Sequence, residues 1–451
     1  MNFALSRFVR RAAVLLAAAS VAAVLAWPVR EFLLRGQTDF VQLYTGAKLA
    51  GTGKLYDAEA NYEWHQRLFG VRFPAVLHSR PAFYAVLLQP LGWLPYRTAF
   101  WLFVLLNVAA AAWVFRRILG PSPPAASFGA VYPATYLAIL WGQDVWLAVA
   151  LFCAAVLLLR RGLEARAGLV MSLCSIKAHL FLLVPLVLLA HRRWRVLAGG
   201  AAGSAGLFLL GFAGDGPGWL TSYWKLLTGP AIHRDMGGMP NLQGVSVQLG
   251  SPAWFLPVAM LAVAAAVVWI SARSRNIDAA LAAALAGGYL LSYHAYPQDA
   301  LTLLVAFALL PAAALRGLPA AAWWFLASPL PLGFALLGPP FHVVLPCAAA
   351  WALAVLAFSR RRPAPAADRP LCLSPGRPRA AGLLCETISS AAPVPAASAA
   401  RFPSPVPALP FVAASSGETC SSSSGAAISP PASSFRFARS SRICSFLCLP
   451  A

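Results

Sequence analysis

Apolar stretches of roughly 15 to 24 residues follow one another along most of this chain, each close to the length that crosses a hydrocarbon core. Arg11–Trp27, Pro252–Ile270 and Phe341–Phe358 are examples. A soluble chain could not cover them. Hydrophobic residues fill 60% of the 451 positions and charged residues 11%, too little charge for a solvated surface. The pattern constrains the chain to an all-α integral membrane protein, because a helix satisfies its own backbone polar groups inside lipid. The net charge of +21 does not point to nucleic acid. Lys and Arg gather in short clusters between the apolar stretches, where topology signals sit.

Those clusters give a sidedness. Arg7, Arg10 and Arg11 place the amino terminus in the cytoplasm. The Ala-x-Ala pattern near Ala17–Ala19 falls too early in the apolar run for cleavage, so the first helix reads as an uncleaved signal anchor. Spans are predicted over 12–28, 98–115, 125–141, 145–159, 196–213, 252–272, 279–293, 300–315, 319–336 and 341–358, about ten in all. They leave two outer segments, over about 31–80 and 215–251, and return repeatedly to inner basic clusters.

Two segments break the alternation. Residues 167–190 look like one span, yet Arg160–Arg166 precede them and His191–Arg195 follow, so both flanks are basic. A hairpin of two half-helices keeps both flanks inside, with its tip at Ile176–His179 and Lys177 deep in the protein. Pro81–Pro95 is apolar but short and bounded by prolines, and reads as re-entrant or interfacial. The membrane domain is predicted over 1–360. From 361 to 451 the chain is rich in Ser, Pro and Ala, a composition expected to stay disordered. Five of the eight cysteines lie there without a zinc spacing, and a cytoplasmic tail disfavours disulfides.

The polar residues gather toward the outer face. They comprise Asp39 in Gly36-Gln37-Thr38-Asp39-Phe40, Tyr44-Thr45-Gly46-Ala47, Gly142-Gln143-Asp144, His233-Arg234-Asp235, Ser292-Tyr293-His294 and Gln298-Asp299. Each has a plain reading beside a functional one. Asp39 just past a helix end fits a cap, Gln143 and Asp144 fit turn and packing residues, and His294 fits an interfacial histidine. Lys177 is harder to dismiss, since a Lys in mid-segment is too far from either interface to snorkel. No Walker A loop, Asp-x-Asp, His-Glu-x-x-His or nucleophile elbow occurs.

The order of short motifs resembles glycosyltransferase family 87, which includes polyprenyl-phosphate-mannose-dependent mannosyltransferases. The motifs are Asp39-Phe40 after the first helix, Tyr44 to Ala50, Leu55-Tyr56-Asp57 and Pro81-Ala82-Phe83-Tyr84. Then follow Trp141-Gly142-Gln143, Ala167-Gly168 running to Lys177-Ala178-His179, and Ser292-Tyr293-His294 with Asp299. The likeness covers about 12–358; Ser79-Arg80-Pro81 stands where the family often has Tyr-Pro-Pro. It implies a GT-C fold and inverting transfer of a hexose, mannose by expectation, from a polyprenyl-phosphate sugar. The acceptor would be a lipid or glycan on the outer face of the cytoplasmic membrane. Asp39 falls at the family's base. Lys177 and Arg80 are the cations that would hold the phosphate, with His294 assisting, and Tyr44, Gln143 and Asp299 complete the substrate-binding set. With cations on the phosphate, no metal or other cofactor is expected. The alternative is a secondary transporter or lipid flippase without catalytic activity, which would also suit broken helices and a buried Lys.

Overall fold

A computed structural model describes residues 2–73, 76–120, 123–229, 236–274, 276–309, 328, 330–335, 337 and 343–358. Every regular element among them is helical. The tail predicted to be disordered, most of the span expected over 319–336 and His233-Arg234-Asp235 lie outside these residues.

The amino-terminal helix α1 (Asn2–Ala26) is followed by α2 (Arg30–Arg35) and α3 (Phe40–Leu49), which are turned 82° from it. Asp39, at the start of α3, lies past this bend and outside the first helix. α4 (Ala58–Phe69) completes the outer segment, with Asp57 accepting from the Ala60 N–H as its N-cap. The run between Pro81 and Pro95 forms α5 (Ala82–Gly92), too short to cross. It packs instead between α3, where Gly92 meets the Ala47 backbone, and the end of a later helix, where the Ala82 carbonyl meets Gly214.

Next come α6 (Tyr96–Val114), extended by a π-helical turn to Leu119, then α7 (Pro123–Val131), α8 (Pro133–Leu140) and α9 (Val145–Arg160). The single helix predicted over 125–141 is in fact α7 and α8. Pro133 supplies no N–H and pushes Tyr132 into an extended conformation (φ −74°, ψ 118°), which ends α7.

The segment of two basic flanks is α10 (Glu164–Ser172), a 3-10 stretch (Leu173–Leu180) and α11 (Val184–Ala190), followed by the long α12 (Trp194–Asp215). It is a hairpin, as predicted. Arg193 after α11 pairs with Glu164 at the start of α10 at 2.8 Å, so the two flanks meet at one level. α12 then runs alongside α10 in the same direction: Gly199 lies on the Ala165 carbonyl, Gly168 on that of Val196, and Gly203 against Ser172. Small residues let these backbones touch. A Cβ at Gly168 would overlap the Val196 oxygen, a rigid backbone neighbour, whereas one at Gly206 would meet nothing. Gly168→Val should therefore lower the melting temperature of detergent-solubilised protein, with a cost of about 1–3 kcal/mol or more. Gly206→Val should leave it nearly unchanged. Equal melting of the two variants would contradict this packing.

The chain continues through α13 (Trp219–Thr228), α14 (Leu242–Gln248), α15 (Phe255–Arg273) and α16 (Ile277–Leu291). A 3-10 turn (Pro297–Ala300) leads into α17 (Leu301–Leu309), and α18 (Leu330–Ala335) and α19 (Val344–Phe358) follow. α16 is buried at every residue from Ala280 to Leu291 and forms the centre of the bundle. α12 and α15 instead expose large apolar side chains, among them Leu209, Val258 and Leu261. Among the described residues three helices, Tyr96–Leu119, α12 and α15, are individually long and apolar enough to cross a membrane, and α1 with its bent continuation makes up to four. α9 and α16 are apolar but shorter. The architecture is that of a helical membrane protein.

The two ends of the bundle differ chemically. At one end Arg160 pairs with Asp278 at 2.8 Å, beside the Arg193–Glu164 pair. The other end of α9 carries Asp144, about 24 Å away at 1.5 Å per residue. The hairpin tip reaches that far end, because Lys177 Nζ lies 3.5 Å from Asp144 Oδ1.

Candidate active site

Five charged side chains from five separate stretches converge around Gln143. The tip of the hairpin is broken at Lys177, whose backbone (φ −134°, ψ 52°) is not helical. That break turns its ammonium inward, 2.9 Å from Asp299 Oδ1 and 3.2 Å from Gln143 Oε1. Asp299 is fixed from its other side, where Oδ2 accepts the Tyr296 N–H at 2.9 Å and closes the 3-10 turn. Arg80, just before α5, grips Asp144 in two-pronged fashion, Nε to Oδ2 at 3.0 Å and Nη2 to Oδ1 at 3.1 Å. Arg80 Nη2 also lies 3.5 Å from Gln143 Oε1. Gln143 Nε2 completes the set by donating to Asp39 Oδ2.

Gly142 makes this possible. Its φ of +60° suits glycine, and a Cβ there would press on Phe40 Cβ and Thr38 Oγ1, each 2.9 Å away. The α8–α9 turn thus lies directly against both neighbours of Asp39.

Burial separates the charges into two classes. Asp144, Asp299, Lys177 and Arg80 are all at most 5% exposed, whereas Asp39 is only half-buried. Three carboxylates face two cations, which leaves one formal negative charge (three minus two). Among the described residues both cations pair with Asp144 or Asp299, and Asp39 has only the neutral Gln143 amide. Desolvation consequently raises the Asp39 pKa above the ordinary carboxylate value, against the pull of Gln143, Lys177 and Arg80. Desolvation acts on Asp144 in the same direction, but there Arg80 and Lys177 prevail and hold it below the ordinary value. Asp39 does not serve as a helix cap. Its side chain makes no capping bond to α3, unlike those of Asp57 and Asn241 on their helices. Among the described residues no three His, Cys, Asp or Glu side chains are arranged to hold a metal ion.

Residues 80–297 match the sequence model of glycosyltransferase family 87. The matched stretch is a little under half of the chain. No curated protein and no solved structure was found to match it. The match to a glycosyltransferase model makes the protein a transferase acting on a sugar donor and an acceptor, which sets the transporter reading aside. The matched stretch includes Arg80, Gln143, Asp144, Lys177 and His294, while Asp39 precedes it and Asp299 lies just beyond it.

Five of the seven site residues singled out from the sequence are joined in the network: Asp39, Arg80, Gln143, Lys177 and Asp299. Tyr44 and His294 have other partners. The Tyr44 hydroxyl donates to the Leu94 carbonyl at 2.8 Å, and its ring meets Tyr96 edge-on. The His294 ring lies against Tyr296, with His179 beyond it, on the loop leading to Asp299. Asp144 is the residue that the sequence undervalues. Read as a turn residue, it is the central carboxylate of the cluster. Lys177 and Arg80, expected as cations waiting for phosphate, are already neutralised by carboxylates.

Proposed function

We propose that this transferase moves a hexose, with mannose the expected sugar, from a polyprenyl-phosphate donor to a lipid or glycan acceptor, with inversion, on a GT-C-type scaffold. What carries the reading is Asp39 itself, a half-buried carboxylate with no cation bonded among the described residues, one amide away from two buried cations. Asp39 removes the proton of the acceptor hydroxyl as that oxygen attacks the anomeric carbon. The bond from that carbon to the phosphate oxygen breaks on the opposite face, and the polyprenyl phosphate departs with the electron pair. Arg80 and Lys177 stabilise the departing phosphate. Arg80 Nη1 makes no hydrogen bond among the described residues and is its first contact. Once the phosphate binds, Lys177 shares its three N–H donors between it and Asp299.

On this reading the amino terminus and the tail lie in the cytoplasm. The Arg160–Asp278 and Arg193–Glu164 end faces inward, and the site faces outward. Incubating the purified enzyme with labelled polyprenyl-phosphate-mannose and cell-envelope lipids tests the reaction. The expected result is a labelled product of inverted anomeric configuration, equimolar polyprenyl phosphate, and a rate insensitive to a metal chelator. Transfer from a nucleotide sugar but from no polyprenyl-phosphate hexose would overturn the donor class.

A further inference from the structure

We propose that Gln143 is a positioning residue that selects Asp39, among the three carboxylates of the cluster, as the proton acceptor. The inference rests on the reading of Asp39 as the base.

The Gln143 carboxamide lies between Asp39 and both cations. Its Oε1 accepts from Lys177 at 3.2 Å and faces Arg80 Nη2 at 3.5 Å, while its Nε2 donates to Asp39. A carboxamide fits such a place only one way round, because cations carry no acceptor for its N–H groups. The two cations thus fix the orientation that presents an N–H to Asp39. The backbone holds the residue as firmly: the Gln143 N–H donates to the Ala138 carbonyl at 2.9 Å, and Gly142 seats the turn on Thr38 and Phe40.

Two consequences follow. One oxygen of Asp39 is held by a neutral donor, which leaves the other for an incoming hydroxyl. The amide also takes the side of each cation that faces Asp39, so Lys177 is drawn to Asp299 and Asp144, and Arg80 to Asp144. A carboxylate paired directly with a buried cation accepts a proton poorly, because protonation breaks the ion pair. Asp144 and Asp299 are disqualified in this way and Asp39 is not. The charged and titratable groups facing Asp39 are Lys177, Arg80, Asp144 and the Tyr96 hydroxyl.

The test compares the pH dependence of transfer in the wild type, Gln143→Glu and Gln143→Met. Gln143→Glu keeps the volume and the acceptor for both cations but replaces the N–H facing Asp39 with a second carboxyl oxygen. The two carboxyls then compete for one proton. The acid limb of the profile should move to higher pH, so that transfer at pH 7 falls at least about tenfold yet approaches the wild-type rate near about pH 9. Gln143→Met removes both polar ends and should move the limb in the same direction by less. Recovery at alkaline pH is a response that a purely structural role would not give. An acid limb unchanged in both variants, or a loss uniform across pH, would overturn the proposal. If Gln143→Met fails to fold, the limb of Gln143→Glu decides alone, and a Gln143→Glu protein that also fails to fold counts against the proposal. Asp39→Asn separates the two levels. Transfer retained in that variant removes the base itself, whereas an inactive Asp39→Asn with unmoved Gln143 profiles removes only the role of Gln143.

Discussion

Asp39→Asn should cut transfer by about 10³-fold, within the range for losing a general base, without lowering the melting temperature. The second half of this expectation is the unusual one. Asparagine keeps an oxygen to accept from Gln143 Nε2, so the turn around Gly142 still closes. It also removes the odd negative charge of the cluster, the carboxylate that no cation neutralises among the described residues. The folded protein raises the Asp39 pKa, chiefly by desolvation, so it binds that proton more readily than the unfolded chain does. Stability from this group is therefore lost as pH rises from the ordinary carboxylate value through the raised one, and at neutral pH the ionised side chain is a net cost. The variant should melt at the same temperature as the wild type or higher, as expected where a function is held at the expense of stability. Thermal melting and single-turnover transfer on one preparation check both halves. Near wild-type transfer would remove Asp39 as the base, and a sharp drop in melting temperature would show that its carboxylate is structural.

How much of this site could be read beforehand depends on whether a residue announces itself locally. The hairpin did so, because basic clusters on both sides of 167–190 are incompatible with a single crossing, and the Arg193–Glu164 pair now joins those flanks. Lys177 announced itself by depth. Asp39 stands out only through the family resemblance, since its position after the first helix fits a cap equally well. Asp144 gave no such sign. An Asp before an apolar helix is an ordinary cap in sequence, and only space shows that it turns away to meet Arg80 and Lys177. The partners are 64 and 33 positions away along the chain, beyond any periodicity. The same blindness explains why Lys177 and Arg80 looked like free cations, since nothing local to either predicts a carboxylate partner. The split of the 125–141 helix was legible at Pro133 but was masked by the continuous apolar run around it.

Asp144 should be the most destabilising single position of the cluster. Asp144→Ala leaves the Arg80 guanidinium buried, 5% exposed, without either of its charged hydrogen bonds, and removes the second carboxylate from Lys177. Breaking a buried ion pair from one side typically costs about 3–5 kcal/mol. The loss should appear as a large fall in melting temperature and in the amount of monodisperse protein recovered from membranes. The pH dependence has the opposite sign to that of Asp39. Arg80 and Lys177 outweigh burial and hold Asp144 below the ordinary carboxylate value, so its contribution is complete above that value and is lost only as pH falls through the lowered one. Wild-type and variant melting curves should therefore differ by a constant amount across neutral pH and converge only in strong acid. The double variant Arg80→Met/Asp144→Leu removes both charges together and should recover much of the stability, because apolar groups of similar volume replace a buried pair at little cost. It should not recover transfer. A pair kept only for stability would be dispensable once its volume was refilled, whereas a pair that supplies the phosphate contact would not. Recovery of transfer in the double variant would exclude Arg80 from that contact and leave Lys177 as the sole cation of the site.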